Sequence, residues 1–571
     1  MDLQEAPGPA KPPAPWWASD VVYQIYPRSF CDSDGDGVGD LRGIISKLDY
    51  LSDLGIDVVW LSPIYESPHA DNGYDIADYQ QIDPLFGTLD DFDALVAGLH
   101  ERGIKLVMDM VVNHTSDEHG WFAASRDPRS PHRDWYVWRP ARDGYEPGTP
   151  GAEPTNLGSV FGGSAWEYDP ASGEYYLHLF SRKQPDLNWE QPEVRAAIYQ
   201  MMNWWADRGV DGFRLDVINL ISKTYPLSDG VVASGELFSD WAPLVNGPRL
   251  VEFLEEMNRA VGFDTRPLFT VGEMPATDVA HARAYTSRHQ PRLGMVFTFE
   301  HLMVDQDGHK FAPKALHLPD LKKNLAAWQA GLADDGWNSL YWENHDQPRV
   351  VSRFGDDDPG RRVASAKALA TVLHLHQGTP YIYQGEEIGI VNAGFSATDS
   401  YADIESLSYA AEAAATGVPE AQILAGLAAM SRDNARTPMP WGPGPGAGFT
   451  TGVPWLSFNR DVAEVNVQAE LADPDGVLAH YKRLIELRHD LEIVRSGSFE
   501  LLLPEDPKLW AFTRTLGAEQ LVVVANMSSE LTSVPVAELP ELSQARLLLG
   551  GTGADVQTLA GWEARVYLLT R

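Results

Sequence analysis

Gly212-Phe213-Arg214-Leu215-Asp216-Val217 is the stretch whose reading decides the fold. It reads as a short buried strand with Arg214 and Asp216 on one side and Phe213 and Leu215 on the other. A carboxylate at the C-terminal end of a strand, with an arginine two residues earlier on the same face, is a charged pair displayed at a sheet edge. Such a pair is structurally expensive and chemically useful. If Asp216 is a nucleophile, a second carboxylate is needed at another strand end. Glu273, closing Phe-Thr-Val-Gly-Glu at 269–273, fits.

Outward from this strand the chain repeats one unit. The helical stretch through Trp204 and Trp205 stops at Gly209 and leads into the strand ending at Asp216. Earlier, Leu41, Ile44, Ile45, Leu48 and Leu51 keep helical spacing over 40–54, Gly55 follows as a C-cap, and an apolar strand runs from Ile56 to Leu61. Thr88 and Asp91 open another helix like a capping box, Gly103 stops it, and Ile104 to Met110 is the next strand. Helix, glycine and an apolar strand buried on both faces signal a parallel sheet of βα units. Val21–Tyr26, Leu268–Glu273, Met295–Phe299, Leu340–Trp342 and Tyr381–Tyr383 complete eight strands. Eight predict a (β/α)8 TIM barrel rather than an open doubly wound sheet.

The predicted barrel occupies 16–112 and 181–490. The connection after the third strand, rich in Gly, Pro, Trp and Tyr, is too long for a bare loop and reads as an inserted subdomain over 113–180. Past the amphipathic helix Val477–Arg488, short β-like runs predict a C-terminal antiparallel β-sandwich over 491–571. Residues 1–15, rich in Pro and Ala, read as a flexible tail.

Composition narrows the partners. The 571 residues carry a formal net charge of −37, which argues against nucleic acid and anionic membrane, since both need a basic surface. No apolar run is long enough to suggest a membrane span. The lone cysteine, Cys31, forms no disulfide within the chain and suits a cytoplasmic setting. Nothing in the sequence fixes whether the chain is a monomer or a homo-oligomer.

Active sites of TIM barrels sit at the C-terminal rim of the strands. Four predicted rims carry polar clusters: Asp109 with Asn113 and His114, Arg214 with Asp216, Glu273, and Asn344-His345-Asp346. Carboxylates without a Cys/His cage point to acid–base or glycosyl chemistry rather than to a zinc hydrolase. A separate run, Asp32-x-Asp34-x-Asp36-Gly-Val38-x-Asp40, has acids at alternate positions and a turn glycine. It resembles the first part of a calcium loop, with Val38 offering its carbonyl, but the bidentate glutamate of an EF-hand is missing.

The ordered boxes Asp-Met-Val-Val-Asn-His (109–114), Gln-Pro-Asp-Leu-Asn (184–188), Gly-Phe-Arg-Leu-Asp-Val (212–217), Val-Gly-Glu (271–273) and Asn-His-Asp (344–346) resemble the α-amylase superfamily of glycoside hydrolases. Within it the chain is similar to the oligo-1,6-glucosidase and α-glucosidase branch. Asn-His-Asp-Gln-Pro-Arg (344–349) and Ser-Arg-Asp-Asn-Ala-Arg-Thr-Pro-Met (431–439) agree, although Pro440 stands before Trp441 where the family usually has Gln. The resemblance implies that Asp216 attacks the anomeric carbon, Glu273 is the acid and base, and Asp346 binds sugar hydroxyls as the ring flattens. It implies that Arg214 orients Asp216, that His114 and His345 donate to hydroxyls, and that Phe161 and Phe180 wall the pocket. Asp75 and Arg432 resemble the pair that closes the non-reducing end and makes the enzyme exo-acting. Val217, following the nucleophile, leans toward α-1,6 bonds. The family's loop after the first strand binds a structural Ca2+, which here would take Asp32, Asp34, Asp36, Val38 and Asp40.

The expected activity is therefore a retaining oligo-1,6-glucosidase acting on small isomaltose-type oligosaccharides. An α-1,4-glucosidase, a sucrose hydrolase, or a sucrose isomerase or trehalose synthase on the same fold are the alternatives.

Overall fold

A computed structural model describes residues 15–232, 238–263, 265–290, 292–551 and 557–570. Eight strands form one sheet: β1 (Val22–Ile25), β2 (Val58–Leu61), β3 (Lys105–Val111), β4 (Gly212–Asp216), β5 (Phe269–Glu273), β6 (Met295–Phe297), β7 (Ser339–Leu340) and β8 (Thr379–Tyr383). Their order is β6-β5-β4-β3-β2-β1-β8-β7, with every neighbouring pair parallel. A parallel bridge from Val296 to Asn338 joins the two ends and closes the barrel. Every residue of β1, β2, β4, β5 and β8 is buried, as expected of strands with the barrel interior on one face and helices on the other.

Local chemistry explains the helix boundaries. The Thr88 and Asp91 capping box starts the helix Leu89–His100. Gly55 ends another helix at φ 91°, a left-handed conformation that glycine adopts without strain. The single helix expected over 40–54 is two, Leu41–Ile45 and Leu48–Leu54. Ser46 interrupts it, its hydroxyl donating to the Gly43 carbonyl at 2.6 Å and competing with the backbone ladder. The seventh strand ends earlier than expected. Tyr341 and Trp342 lie outside the ladder, their side chains donating instead to the carbonyls of Thr298 and Leu369.

The segment after β3 builds a helix, Gly120–Ser125, and a three-stranded antiparallel sheet of Trp138–Arg139, Glu174–Leu177 and Trp166–Asp169. Its small core packs against Val217, Leu220 and Leu244, which follow β4. A second rim element was not legible in the sequence. The antiparallel pair Gln306–Asp307 and His309–Pro313 and the helices Ile404–Ala415 and Glu420–Met430 share a core of Phe311, Tyr401, Ile423, Leu427 and Met430.

The C-terminal part is a five-stranded antiparallel sheet: β9 (Ser498–Leu502), β10 (Leu509–Leu516), β11 (Glu519–Asn526), β12 (Arg546–Leu549) and β13 (Ala564–Thr570). Their order is β9-β10-β11-β13-β12, and a short second layer pairs Thr532–Ser533 with Thr558–Leu559. One face presents Trp510 and Phe512 to the barrel core, and the other holds Leu509, Ala511, Val522 and Val524 in a core of its own. The buried Lys322 joins the domains, its ammonium donating to the carbonyls of Leu503, Asp506 and Leu509 at 2.6, 2.7 and 2.8 Å. The predicted tail, 1–15, falls outside the described residues except for Pro15. No described helix is long and apolar enough to cross a membrane.

Candidate active site

Strand register assembles the centre. Asp109 of β3 pairs with Arg214 of β4, which pairs with Val271 of β5. Side chains level in a parallel sheet share a face, so the two-residue period carries Asp109, Arg214, Asp216 and Glu273 to the barrel interior together.

Arg214 is 1% exposed and is the hub. Its Nη1 donates to Asp109 Oδ1 at 2.8 Å and to Asp216 Oδ1 at 2.5 Å, while Nη2 lies 2.7 Å from Glu273 Oε2. Trp60 and Tyr74 lie against the guanidinium at 5.2 and 5.8 Å. Trp60 Nε1 and the Tyr74 hydroxyl also donate to Asp109 Oδ2. One guanidinium thus serves three buried carboxyls. Burial pushes all three upward, Arg214 opposes it, and each carboxyl's neighbours add repulsion. The result is about 6 for Asp109, about 7 for Asp216 and about 8 for Glu273. Glu273 stands highest of the three, raised by burial toward the protonated form.

Val217 turns the chain after Asp216 at φ 35°, ψ 43°, a left-handed conformation that a β-branched residue adopts only at a cost of order 1–3 kcal/mol. That turn aims the Val217 N–H at Glu273 Oε2, 3.2 Å away.

Asp346 completes the acidic set. Its Oδ1 accepts from Arg432 Nη1 at 3.1 Å and Arg436 Nη2 at 2.8 Å, and Oδ2 faces His345 Nε2 at 3.2 Å. Burial disfavours its charge, but the His345 contact and the charges of Arg432 and Arg436 together more than offset this and hold it well below the usual carboxylate range. His345 lies flat on Tyr74, the ring centroids 5.1 Å apart, and Gln24 Nε2 is 2.8 Å from its Nδ1. Burial lowers it to about 3, so it is neutral. His114 is likewise lowered to about 4 by burial, and its Nε2 lies 3.2 Å from Gln184 Nε2.

One sequence expectation is corrected by the geometry: Asp75 does not meet Arg432. Fully buried, Asp75 accepts from the backbone N–H groups of Ala70 and Asp71 at 2.9 Å each and from the Ser67 hydroxyl at 3.1 Å. It shapes the loop. Asp71, presented by that loop, pairs with Arg432 Nη2 at 3.1 Å and accepts from Gln184 at 3.0 Å. Both acids are visible in Asp-Asn-Gly-Tyr-Asp at 71–75, but spacing alone does not say which one faces the cavity. Phe161 lies under the Arg432 guanidinium at 5.1 Å and against Phe180 at 5.7 Å, and Phe180 meets His114. Asp109, expected only as part of a polar rim cluster, and Tyr74, Gln184, Arg436 and Asp403, given no role in the sequence reading, join these contacts.

Away from the centre, oxygens of Asp32, Asp34 and Asp40 lie within 4.8 Å of one another. Asp36 turns instead to its own loop, accepting from the Val38 N–H at 2.8 Å. Asp32 accepts from the N–H groups of Asp34, Gly35 and Gly37, and Asp40 from those of Ser33 and Gly43.

The alpha amylase catalytic domain family matches residues 24–497. The chain is 50% identical to an oligo-1,6-glucosidase of Halalkalibacterium halodurans over 97% of this chain and 99% of that protein. It is 51% identical to an oligo-1,6-glucosidase of Parageobacillus thermoglucosidasius, over 97% and 98% respectively. Among solved structures, the trehalose-6-phosphate hydrolase of Bacillus licheniformis superposes with a TM-score of 0.90 at 45% identity, covering 98% of this chain and all of that one. Barrel, rim chemistry and relatives agree: the chain belongs to the α-amylase family, among the oligo-1,6-glucosidases and α-glucosidases, and is a glycoside hydrolase.

Proposed function

We propose that the chain is a retaining, exo-acting α-glucosidase that cleaves α-1,6-glucosidic bonds of isomaltose-type oligosaccharides and releases α-glucose. The observation that carries this reading is the shared guanidinium of Arg214, with Asp216 and Glu273 both on its fork. Two carboxyls on one fork match a retaining pair, about 5–5.5 Å apart, rather than an inverting pair spread to about 6.5–9.5 Å around a water.

The chemistry follows from the proton. Glu273 gives its proton to the glycosidic oxygen as the bond from that oxygen to the anomeric carbon breaks, and Asp216 closes on the carbon as a covalent ester. Glu273, now ionised, takes a proton from water, which displaces Asp216 with a second inversion. As the ring flattens, Asp346 and neutral His345 supply their hydrogen bonds to its hydroxyls, and tightening there lowers the barrier. The Asp71–Arg432 pair with Phe161 closes one end of the cavity, which supports removal of one glucose at a time. Val217 beside the nucleophile supports the α-1,6 preference. Arg214, Arg432, Arg436 and Lys310 are each engaged by carboxylates, which supports an uncharged sugar over a phosphorylated one.

The acidic loop after β1 supports a structural Ca2+ held by Asp32, Asp34 and Asp40, joined by Asp36 and the Val38 carbonyl. Its donor set is all hard oxygen. Burial and then the charges of Asp34, Asp32 and Asp40 raise Asp36, a repulsion that a divalent cation relieves. Such an ion supplies charge neutralisation to the loop and takes no part in bond cleavage. The lone Cys31 supports a cytoplasmic setting.

Parallel assays with isomaltose, maltose, sucrose, trehalose and trehalose 6-phosphate test the reading, with NMR following the anomer first released. Fastest hydrolysis of isomaltose to α-glucose is expected. Faster turnover of maltose or trehalose 6-phosphate ends the linkage assignment, isomerised products end the hydrolase assignment, and initial β-glucose ends the retaining one.

A further inference from the structure

Arg432 and Arg436 lie one helical turn apart, both buried, and both reach the same oxygen of Asp346. Two guanidinium groups brought that close repel each other; on the cavity side Asp346 touches both, while Asp71 touches Arg432 alone. The balance comes from behind. Asp403, completely buried, sets Oδ1 at 2.9 Å from Arg432 Nε and Oδ2 at 2.8 Å from Arg432 Nη2. The same Oδ2 accepts from Arg436 Nη1 at 2.8 Å. Asp403 therefore grips Arg432 along one side and bridges it to Arg436. This leaves Arg432 Nη1 for Asp346 and Nη2 for Asp71.

The carboxylate is itself fixed. Asp403 caps the rim helix Ile404–Ala415, accepting from the N–H groups of Glu405 and Ser406 at 3.0 and 3.4 Å. Its own N–H and that of Ala402 donate to Asp433 Oδ2, which also takes the Ser431 hydroxyl. Asp433 lies between the two arginines in sequence, so the segment carrying Arg432 and Arg436 and the segment carrying Asp403 clamp each other. Charge-assisted bonds of this kind are the strong ones, and a planar guanidinium held on two edges has little freedom left.

We infer that Asp403 is a positioning residue for the closed end of the sugar site: it neutralises the Arg432–Arg436 pair and aims Arg432 between Asp71 and Asp346. Its kinetic consequence rests on the glucosidase reading above; its structural consequence does not.

The test compares the unmodified enzyme with Asp403→Asn and Asp403→Glu. Kinetics use whichever α-glucoside the unmodified enzyme turns over, and the crystal structure of each variant is determined. Losing the charge is expected to raise KM about 10–100-fold, the range for losing charge-assisted bonds to a buried ion. The fall in kcat should be smaller, and both limbs of the pH profile should stay in place because Asp216 and Glu273 are untouched. Asp403→Glu, which keeps the charge, should recover part of KM and carries the test if the Asn variant does not fold. In the Asn structure Arg432 should no longer reach Asp71 and Asp346 together. An unchanged KM, or Arg432 still held between both acids, overturns the inference. An unmodified enzyme inert on every α-glucoside would instead defeat the glucosidase reading, and the position of Arg432 in the variant would still decide this one.

Discussion

Arg214 Nη2 sits 2.7 Å from Glu273 Oε2, on the guanidinium that also holds Asp216. A single buried cation between these two carboxyls links them and rations their charge. With Asp109 as a third claimant, full ionisation of all three carboxyls leaves two buried negative charges uncompensated by Arg214. Burial raises Glu273 to about 8, the highest of the three.

Activity should follow a narrow bell in pH. Protonation of Asp216 removes the nucleophile below about 7, and ionisation of Glu273 removes the acid above about 8. The two carboxyls titrate as a coupled pair, so kcat/KM against pH reports apparent values for the pair. A plateau extending unchanged to pH 5 would contradict this division of charge.

Glu273→Gln should abolish turnover and stabilise the fold. Burial raises the Glu273 carboxyl from its ordinary 4.5 to about 8, so between those values the folded state holds a proton that the unfolded state has lost. Unfolding then releases a proton, and stability falls as pH rises through that window. The glutamine carries no such penalty. A gain of about 1–3 kcal/mol is expected at pH 8, shrinking toward zero near pH 4, by urea unfolding at both values.

Asp71 and Asp75 should separate cleanly. Asp71→Asn removes one of the carboxylates that hold Arg432 and should raise KM at least tenfold with little change in stability. Asp75→Ala strands the backbone N–H groups of Ala70 and Asp71, while the Ser67 hydroxyl keeps the carbonyl of residue 75 at 2.8 Å. It should cost about 2–4 kcal/mol in thermal or urea unfolding. The opposite pattern would return Asp75 to the sugar site.

Val217→Ala should shift linkage preference. Removing the two γ-methyl groups beside Asp216 is worth about 1–3 kcal/mol of discrimination, so the isomaltose-to-maltose ratio of kcat/KM should drop by tenfold or more. An unchanged ratio places linkage selection elsewhere on the rim.

Chelation should act on stability alone. EDTA is expected to lower the melting temperature by several degrees, reversed by Ca2+ but not by Mg2+, while kcat at 25 °C stays within twofold. Asp34→Ala should remove the response to Ca2+. A melting temperature indifferent to chelator leaves the loop as a hydrogen-bonded turn.

Much of this was written in short range. Alternation in Gly-Phe-Arg-Leu-Asp places Arg214 and Asp216 on one face whatever surrounds them, and Gly55 and the Thr88–Asp91 pair set helix ends through their own backbone chemistry. Eight apolar runs separated by helical periods favour a barrel over an open sheet, and the barrel brings the ends of β4 and β5 to one rim. The sequence by itself thus determined the barrel and the acids Asp216, Glu273 and Asp346 on its edge. It did not determine which of Asp71 and Asp75 faces Arg432, because the answer depends on whose N–H groups the loop must satisfy. Nor did it reveal Asp403, more than fifty residues from Asp346, or the rim element that carries it. Those choices are made by burial and charge balance between segments remote in the chain, and only the tertiary structure brings the opposing charges within reach of each other.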